Sequence, residues 1–212
     1  VATWKKVIRV IAHELNNSLA PISSLAHSGR ALVAQHDRAQ LERVFATLEE
    51  RAAHLHAFID GYARFAKLPR PRPSAVEWSP FLAGLRNAVQ FRVRGELPER
   101  GGWFDAGQLE QVLINLVKNA HESGSPSSEV ALEVERRSGG VELRVLDRGA
   151  GMSDAVLQQA LLPFYSTKPS GTGLGLTLSR EIAEAHGGRL TVAPRDGGGT
   201  LVSVWLPDAG KS

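Results

Sequence analysis

Four short groups of residues in this chain carry side chains or backbone suited to phosphoryl transfer. In chain order they are a histidine followed by a carboxylate and two amides, an asparagine pair, an aspartate with two glycines, and a glycine-rich run: His13–Asn17, Asn115 with Asn119, Asp147–Gly151 and Gly171–Leu176. An imidazole can accept a phosphoryl group as a nucleophile. Amide oxygens, a carboxylate and glycine backbone can hold Mg-ATP. Each group alone is a weak signal, but their combination and order predict phosphorylation of the histidine by bound ATP.

His13 is the candidate nucleophile. It lies off the apolar seam of its predicted helix, and on local spacing alone an ordinary surface histidine is the better interpretation. Its neighbours change this interpretation, because Asn16 and Asn17 share its helix face and carry amides that can orient a water molecule or a phosphoryl oxygen. The adjacent Glu14 can accept the Nδ1 proton and leave Nε2 unprotonated for attack.

Asn115 and Asn119 are four residues apart on a predicted helix and therefore share one face. Such a pair could equally form a structural hydrogen-bond network. Mg²⁺ prefers oxygen ligands and keeps several waters, so an asparagine oxygen together with three phosphates would suit it.

Asp147 follows a predicted strand and begins an Asp-x-Gly-x-Gly sequence. A lone sequence of this kind is usually only a turn. Here the carboxylate at the strand end can accept an exocyclic amine and so select adenine over guanine, while Gly149 and Gly151 would let the backbone approach the base. The glycine pattern of a dinucleotide-binding βαβ unit is missing, and so is a Walker-type lysine loop.

The glycine-rich run leads directly into a helix. Backbone N–H groups of such a loop bind phosphate together with the helix N-terminus, whereas any one glycine would indicate only a flexible loop. Lys168, just upstream, can reach the terminal phosphate as a point charge, and residues 152–170 are predicted to form a lid over the nucleotide. The predicted phosphate-binding residues of the run are Gly171, Thr172, Gly173, Leu174 and Gly175.

The chain as a whole has an ordinary globular composition. It has 212 residues, 42% of them hydrophobic, a net charge of +3 and no cysteine. Acids and bases are interspersed, which argues against the basic stripe of a nucleic-acid-binding protein. No apolar run approaches the ~20 residues of a membrane helix, so we expect a soluble piece of a larger protein with no nucleic-acid partner.

Residues 1–68 show helical periodicity throughout, with apolar residues at alternating spacings of three and four. A short connection near Asp37, which suits the cap of the second helix, makes the two helices antiparallel. One hairpin cannot bury both apolar stripes, so we predict that two copies pair into a symmetric, dimeric four-helix bundle. Three prolines at alternate positions then favour an extended linker at 69–74.

Residues 75–212 alternate between strand and helix patterns and predict an α/β sandwich, a mixed sheet with helices on one face. Asp105 and Gln108 form a predicted capping box at the start of one helix. Gly187 with Gly188 is predicted to end the helix that follows the last glycine-rich run. Predicted strands cover 76–78, 91–97, 103–104, 129–137, 141–146, 189–193 and 200–206, and the other predicted helices cover 80–89 and 105–123.

These residues resemble the catalytic core of bacterial two-component sensor histidine kinases. In that family a dimerisation and histidine-phosphotransfer domain precedes an ATP-binding domain of the Bergerat (GHKL) fold. The resemblance covers nearly the whole chain and is greatest to kinases of the nitrogen-regulation type. The matching motifs are the H-box His13–Asn17, the N-box Asn115–Ala120, the G1 box Asp147–Gly151, the F-box Pro163-Phe164, the G2 box Gly171–Leu176 and the last glycine box Gly199-Thr200.

The resemblance implies a role for each of these residues. His13 would accept the phosphoryl group, with Glu14 as its acid/base partner, and Asn17 would help position phosphoryl groups or the water used in dephosphorylating the partner regulator, a second activity that the resemblance allows. Asn119 would be the Mg²⁺ ligand, with Asn115 close to the phosphates. The cofactors would therefore be ATP and Mg²⁺, and catalysis would consist mainly of positioning and charge neutralisation.

The same resemblance implies partners and a location. Thr200 would bind adenine together with Asp147, and the phosphoryl group would pass from the histidine to an aspartate of a response-regulator receiver domain. The core would be a cytoplasmic homodimer through its helical hairpin, and any membrane attachment would come from N-terminal regions absent from this sequence. The phosphotransfer domain would cover 1–68, the linker 69–74 and the ATP-binding domain 75–212.

Ser18 departs from the family pattern, since members commonly carry proline at this position, five residues after the histidine. We therefore expect a straighter helix, or a bend moved towards Pro21. Two other interpretations of the function stay open. A gyrase-, Hsp90- or MutL-type ATPase would share the pocket, although Asn115 occupies the position of its usual glutamate base. The other is a dimeric scaffold that binds nucleotide without turnover.

Overall fold

The computed structural model describes residues 2–35, 37–66, 68–168, 171 and 173–209. The chain divides into two compact units, of which the first comprises Val1–Lys67 with Ser166–Leu174 and the second Leu68–Tyr165 with Gly175–Ser212. None of the helices within the described ranges is long and apolar enough to cross a membrane.

The first unit contains two long helices packed side by side. Asp37 caps the second one as predicted, because its carboxylate accepts a hydrogen bond from the backbone N–H of Gln40 at 3.0 Å. Gly29 is buried between the helices, and a Cβ at this position would lie 3.5 Å from Val44 Cγ1, so a larger side chain would push them apart. The two helices are α1, Ala2–Gln35, and α2, Arg38–Ala66.

The second unit is built on a mixed five-stranded sheet, as the sequence predicts. Its strand order is β2-β4-β5-β7-β6, with β2 parallel to β4 and all other neighbours antiparallel, while β1 and β3 form a separate antiparallel pair. The strands are β1 Ser74–Val76, β2 Arg92–Val93, β3 Gly102–Phe104, β4 Ala131–Arg137, β5 Gly140–Leu146, β6 Arg189–Pro194 and β7 Thr200–Pro207.

Helices cover one face of this sheet. Val141, Leu143 and Val145 of β5 are buried, while the charged residues between them are only half-buried, which is the alternation expected of a strand with one covered face. The fourth helix packs on β5 and the sixth on β6 and β7. The helices are α3 Trp78–Leu85, α4 Ala106–Glu122, α5 Asp154–Leu157 and α6 Gly175–Ala185, with a 3₁₀ turn at Ser127–Glu129.

Two predicted strands have different limits in the structure. The strand predicted at 76–78 lies at β1 instead, and Trp78 begins α3, where its ring centroid is 5.4 Å from that of Phe104. The strand predicted at 91–97 is reduced to β2, because Gly95 has a φ of 79° and turns the chain away from the extended conformation.

Only one half of the predicted capping box forms. The Asp105 carboxylate accepts from the N–H of Gln108 at 3.1 Å, but the Gln108 side chain does not return a hydrogen bond to Asp105. It donates instead to the carbonyl oxygen of Pro69 at 2.9 Å, and the Asp105 N–H donates to Nε2 of His186 at 3.0 Å. The reciprocal bond is lost because the linker and a distant histidine supply better-placed partners. The N–H of Arg72 completes the arrangement by donating to Asp105 Oδ2 at 2.9 Å.

Candidate active site

Asp147 is the centre of the candidate site in the second unit. It follows the last residue of β5 and is 5% exposed. Its Oδ1 atom accepts hydrogen bonds from the N–H of Gly149 at 2.8 Å and the N–H of Thr200 at 3.1 Å. The hydroxyl of Ser123 lies 3.3 Å from the same oxygen, but its proton is shared with the Ala120 carbonyl oxygen, which is closer at 2.7 Å. Across the ranges that the structure describes, no group donates to Oδ2. One carboxylate oxygen is therefore fixed by the protein, and the other can accept a hydrogen bond from a ligand.

Thr200 forms two hydrogen bonds with Asp147. The Asp147 N–H donates to the Thr200 carbonyl oxygen at 3.0 Å, and the Thr200 N–H returns a bond to the carboxylate. The two residues meet although 53 positions separate them, because β5 and β7 pair with Leu146 opposite Leu201. The structure thus brings together the two residues that the resemblance assigns to adenine.

Gly149 has a packing role that the sequence prediction lacked. A Cβ at this position would overlap the hydroxyl oxygen and the backbone of Ser123, which follows the end of α4. The N–H of Ala150 donates to the Ser123 carbonyl oxygen at 2.9 Å, so the turn after β5 lies directly against the end of that helix. Gly151 has a φ of 70°, in the region that favours glycine.

The loop after α4 contributes residues that sequence reasoning did not identify. The hydroxyl of Ser123 lies 3.3 Å from Asp147 Oδ1, and the hydroxyl of Ser125 accepts from the N–H of Arg148 at 2.9 Å. A possible signal was the pair of serines flanking a glycine just beyond the predicted helix, since serine hydroxyls often bond nearby backbone. Nothing in that pattern, however, indicates a partner some 24 residues away.

Asn115 and Asn119 both lie on α4, half-buried, while Leu113, Leu116 and Val117 form its buried side as predicted. Gly175, the first residue of α6, is so close that a Cβ there would lie 3.8 Å from Asn119 Nδ2. An amide side chain and a helix N-terminus therefore lie side by side. The pair suits an anionic ligand with a bound cation, because the helix N-terminus attracts phosphate and an amide oxygen can bind Mg²⁺.

The predicted glycine-rich run is divided between the two units. Gly171, Gly173 and Leu174 belong to the first and Gly175 to the second, while Thr172 lies outside the described residues. The segment is locally ordered by a turn, in which the N–H of Lys168 donates to the hydroxyl of Ser166 at 3.1 Å. The N–H of Gly171 then donates to the carbonyl oxygen of Lys168 at 3.1 Å.

His13 and Glu14 lie in α1, but their side chains are outside the described part of the chain. Asn16 and Asn17 are exposed on the same helix, and Leu15 is half-buried.

The fold and the site define a class of protein. Residues 104–210 match the family model described as "Histidine kinase-, DNA gyrase B-, and HSP90-like ATPase". The chain belongs to this family, and its mixed sheet with helices on one face is the α/β ATPase fold that the sequence predicts.

Within the family the relatives are sensor kinases. The chain is 34% identical to the C4-dicarboxylate transport sensor protein DctS of Rhodobacter capsulatus, over 98% of this chain and 34% of that protein. It is 29% identical to the sensor histidine kinase ZraS of Escherichia coli K12, over 93% of this chain and 44% of that protein. The chain thus spans between a third and a half of these relatives. The resemblance to the catalytic core of bacterial sensor histidine kinases is confirmed.

Solved structures agree on the fold. The histidine kinase ThkA in complex with the response regulator protein TrrA has a TM-score of 0.74 and 19% identity, covering 96% of this chain and 61% of that one. Full-length ShkA in complex with AMPPNP has a TM-score of 0.65 and 22% identity, covering 93% of this chain and 46% of that one.

Proposed function

We propose that this chain is a histidine kinase core, which transfers the γ-phosphoryl group of ATP to His13 and then to an aspartate of a response regulator. The observation that carries the proposal is the Asp147 carboxylate. Two backbone N–H groups fix its Oδ1, and no described group donates to Oδ2. A buried carboxylate arranged in this way is suited to a ligand that brings its own hydrogen-bond donor.

Adenine is such a ligand, because its exocyclic amine can donate to Oδ2. Guanine would present a carbonyl oxygen at the equivalent position and would place two acceptors against each other. A site built to bind one donor rejects the analogue that lacks it, because a buried polar atom is then left unpaired. Asp147 is therefore the residue that selects ATP, with Thr200 as its neighbour.

We assign phosphate binding to α4, to the start of α6 and to the glycine-rich run. Asn119 supplies an amide oxygen for Mg²⁺, and Asn115 and the start of α6 lie near the phosphates. Lys168 and Gly171–Leu174 are the other proposed phosphate ligands. Mg²⁺ would neutralise charge on the phosphates, and this chain has no glutamate at the position of Asn115 to activate water.

His13 is the proposed nucleophile. Its Nε2 lone pair forms a bond to the γ-phosphorus while the bond from that phosphorus to the bridging oxygen of ADP breaks, and ADP leaves with the electron pair. Glu14 accepts the proton on Nδ1, and Asn17 positions phosphoryl oxygens or water. A carboxylate oxygen of the response regulator then attacks the phosphorus and displaces the imidazole.

The active form is proposed to be a homodimer that joins two helical hairpins into a four-helix bundle. Four large apolar side chains on α1 and α2 are roughly half exposed in the single chain, and pairing would remove them from water. They are Leu19, Val33, Phe45 and Ile59, with exposed fractions of 48%, 59%, 55% and 49%. The likeness to ThkA, solved with TrrA, supports a response regulator as the second partner.

Autophosphorylation with γ-labelled ATP and Mg²⁺ tests the proposal. We expect acid-labile, alkali-stable label in the native chain and none in His13→Gln or Asn119→Ala. His27→Gln is the matched control, because His27 is another exposed histidine of α1, and it should label like the native chain. An unlabelled native chain that still binds ADP would favour the second candidate, a nucleotide-binding scaffold without turnover.

A further inference from the structure

Two arginines join the turn between β6 and β7 to the backbone around Asp147. Arg195, at the start of the turn, donates from Nη1 to the Asp147 carbonyl oxygen at 2.9 Å. Arg148 donates in the opposite direction, from its Nη1 to the carbonyl oxygens of Asp196 at 2.5 Å and Gly198 at 2.9 Å. The two side chains therefore bridge the turn and the backbone around Asp147 in both directions, Arg195 from the turn and Arg148 from the residue after Asp147.

Two backbone hydrogen bonds close the turn, from the Arg195 N–H to the Gly199 carbonyl oxygen at 3.1 Å and from the Gly198 N–H to the Arg195 carbonyl oxygen at 3.0 Å. Gly197, Gly198 and Gly199 are consecutive and have φ values of 77°, 99° and 93°. Glycines lose more conformational freedom on folding than other residues, so the arginine contacts add to these two bonds in holding one conformation. Gly199 also lies so close to Asp147 that a Cβ there would overlap the Asp147 carbonyl oxygen.

The position of this turn determines the geometry of the carboxylate. Thr200 directly follows the three glycines, and its N–H is one of the two backbone donors to Asp147 Oδ1. A shift of the turn would lengthen this bond and allow the carboxylate to rotate. The orientation of Oδ2 would then be less well defined.

The arrangement places two cations close together. Burial lowers the pKa of Arg195 from its usual value, and the charge of Arg148 lowers it further. Both guanidinium groups use backbone carbonyl oxygens as acceptors rather than a paired carboxylate. Their proximity therefore costs electrostatic free energy that the hydrogen bonds to the turn must offset.

We propose that Arg148 and Arg195 form a clasp that positions Asp147 and Thr200, and that the clasp sets the selectivity for adenine over guanine. Both are positioning residues, since they act through the carboxylate and not on the nucleotide. This inference rests on the proposed function, because it requires the nucleotide base to bind at Asp147.

Calorimetric titration with ADP and GDP in the presence of Mg²⁺ tests the clasp without turnover. We expect Arg148→Met and Arg195→Met each to weaken ADP binding about tenfold, the factor for one lost hydrogen bond to a charged group. GDP binding should change little, so the ratio of the two affinities falls. Because the arginines act on one contact, the double variant should lose less than the product of the two single losses.

Two further variants separate positioning from general stability. Arg148→Lys keeps a donor for one of the carbonyl oxygens and should recover part of the selectivity. Arg136→Met is the matched control, because Arg136 pairs with Asp208 and lies opposite Val141, at the other end of β5 from Asp147. This control variant should leave the ratio of the ADP and GDP affinities unchanged, whether or not its melting temperature changes.

The outcomes distinguish a failure of the clasp hypothesis from a failure of the proposed function. Native protein that binds ADP, with unchanged selectivity in both methionine variants, overturns the clasp and leaves the nucleotide site intact. Equal losses for ADP and GDP also overturn it, since the arginines would then support only the fold. Native protein that binds neither nucleotide overturns the clasp together with the proposed function.

Discussion

The backbone N–H of Asp105 donates to Nε2 of His186 at 3.0 Å and so joins the start of α4 to the end of α6. Nδ1 of the same imidazole lies 2.8 Å from the Ile182 carbonyl oxygen. A carbonyl can only accept, so Nδ1 carries the proton and Nε2 is the acceptor. His186 thereby links α4, which carries Asn119, to α6, which begins at Gly175. It lies 81 residues after Asp105 in the sequence.

Replacing this histidine should destabilise the second unit. In His186→Leu the half-buried Asp105 N–H loses its acceptor, which should cost about 1–3 kcal/mol. His121→Leu is the comparison, because the hydrogen bond of its ring to the Gln90 carbonyl oxygen is exposed to solvent, and its loss should cost under about 1 kcal/mol. Urea unfolding of both variants measures the difference. Equal losses of unfolding free energy in the two variants would show that the hydrogen bond between α4 and α6 contributes no more than the exposed one at His121.

The Asp105 carboxylate should make the unit sensitive to acid. The hydrogen bond from the Arg72 N–H is the main cause that lowers its pKa below the usual 3.8, and the hydrogen bond from the Gln108 N–H acts in the same direction. A lowered folded-state pKa means that this stabilisation is complete well above pH 3.8 and is lost as the pH falls below it towards the folded value.

Asp105→Asn isolates this effect, since asparagine remains a good N-cap but cannot accept two backbone hydrogen bonds with both terminal atoms. The native chain should exceed the variant in unfolding free energy at neutral pH, and the difference should shrink on acidification to about pH 3. Urea titrations at both pH values provide the measurement. A difference that does not change with pH would contradict the assignment to the carboxylate charge.

Local chemistry made much of the site predictable from sequence. Asp147 and its glycines stand out because a carboxylate at a strand end and residues free to adopt positive φ are local properties. The covered face of the sheet follows from the period-two alternation along β5, and α4 follows from its apolar stripe. The N-cap role of Asp105 is equally local, because the N–H that donates to its carboxylate belongs to Gln108, only three residues away.

The remaining contacts depend on distant partners, which no local pattern specifies. Gln108 could bond back to Asp105 as a capping box, but tertiary packing offers it Pro69, and His186 takes the N–H in its place. Arg148 lies within a recognisable motif, yet its side chain reaches a turn about 50 residues away. Such choices follow from how the elements pack, so sequence reasoning identifies the residues without their partners.

Gly149 should not tolerate a side chain. In Gly149→Ala the new Cβ would overlap Ser123, so either the turn or the end of α4 must move, at a cost of about 1–3 kcal/mol. The same movement would disturb the donors to Asp147 and weaken ADP binding.

Gly84→Ala is the matched control, since a Cβ there meets nothing within 4 Å on α3, and it should stabilise the unit by about 0.5–1 kcal/mol. Melting curves and ADP titrations of both variants test this contrast, and an alanine at position 149 that binds ADP normally would refute it.

The apolar side chains of the helical hairpin should determine the oligomeric state. Phe45 is 55% exposed in the single chain, so burying the remaining half of its surface in a four-helix bundle would contribute about 1–1.5 kcal/mol for each copy. Phe45→Glu would place a charge in that interface and should shift the chain from dimer to monomer in sedimentation equilibrium. Arg43→Glu, an exposed change on the same helix with the same new side chain, should leave the dimer intact. If both variants sediment like the native chain, Phe45 is not part of a dimer interface, and another face of the hairpin must pair or the chain is monomeric.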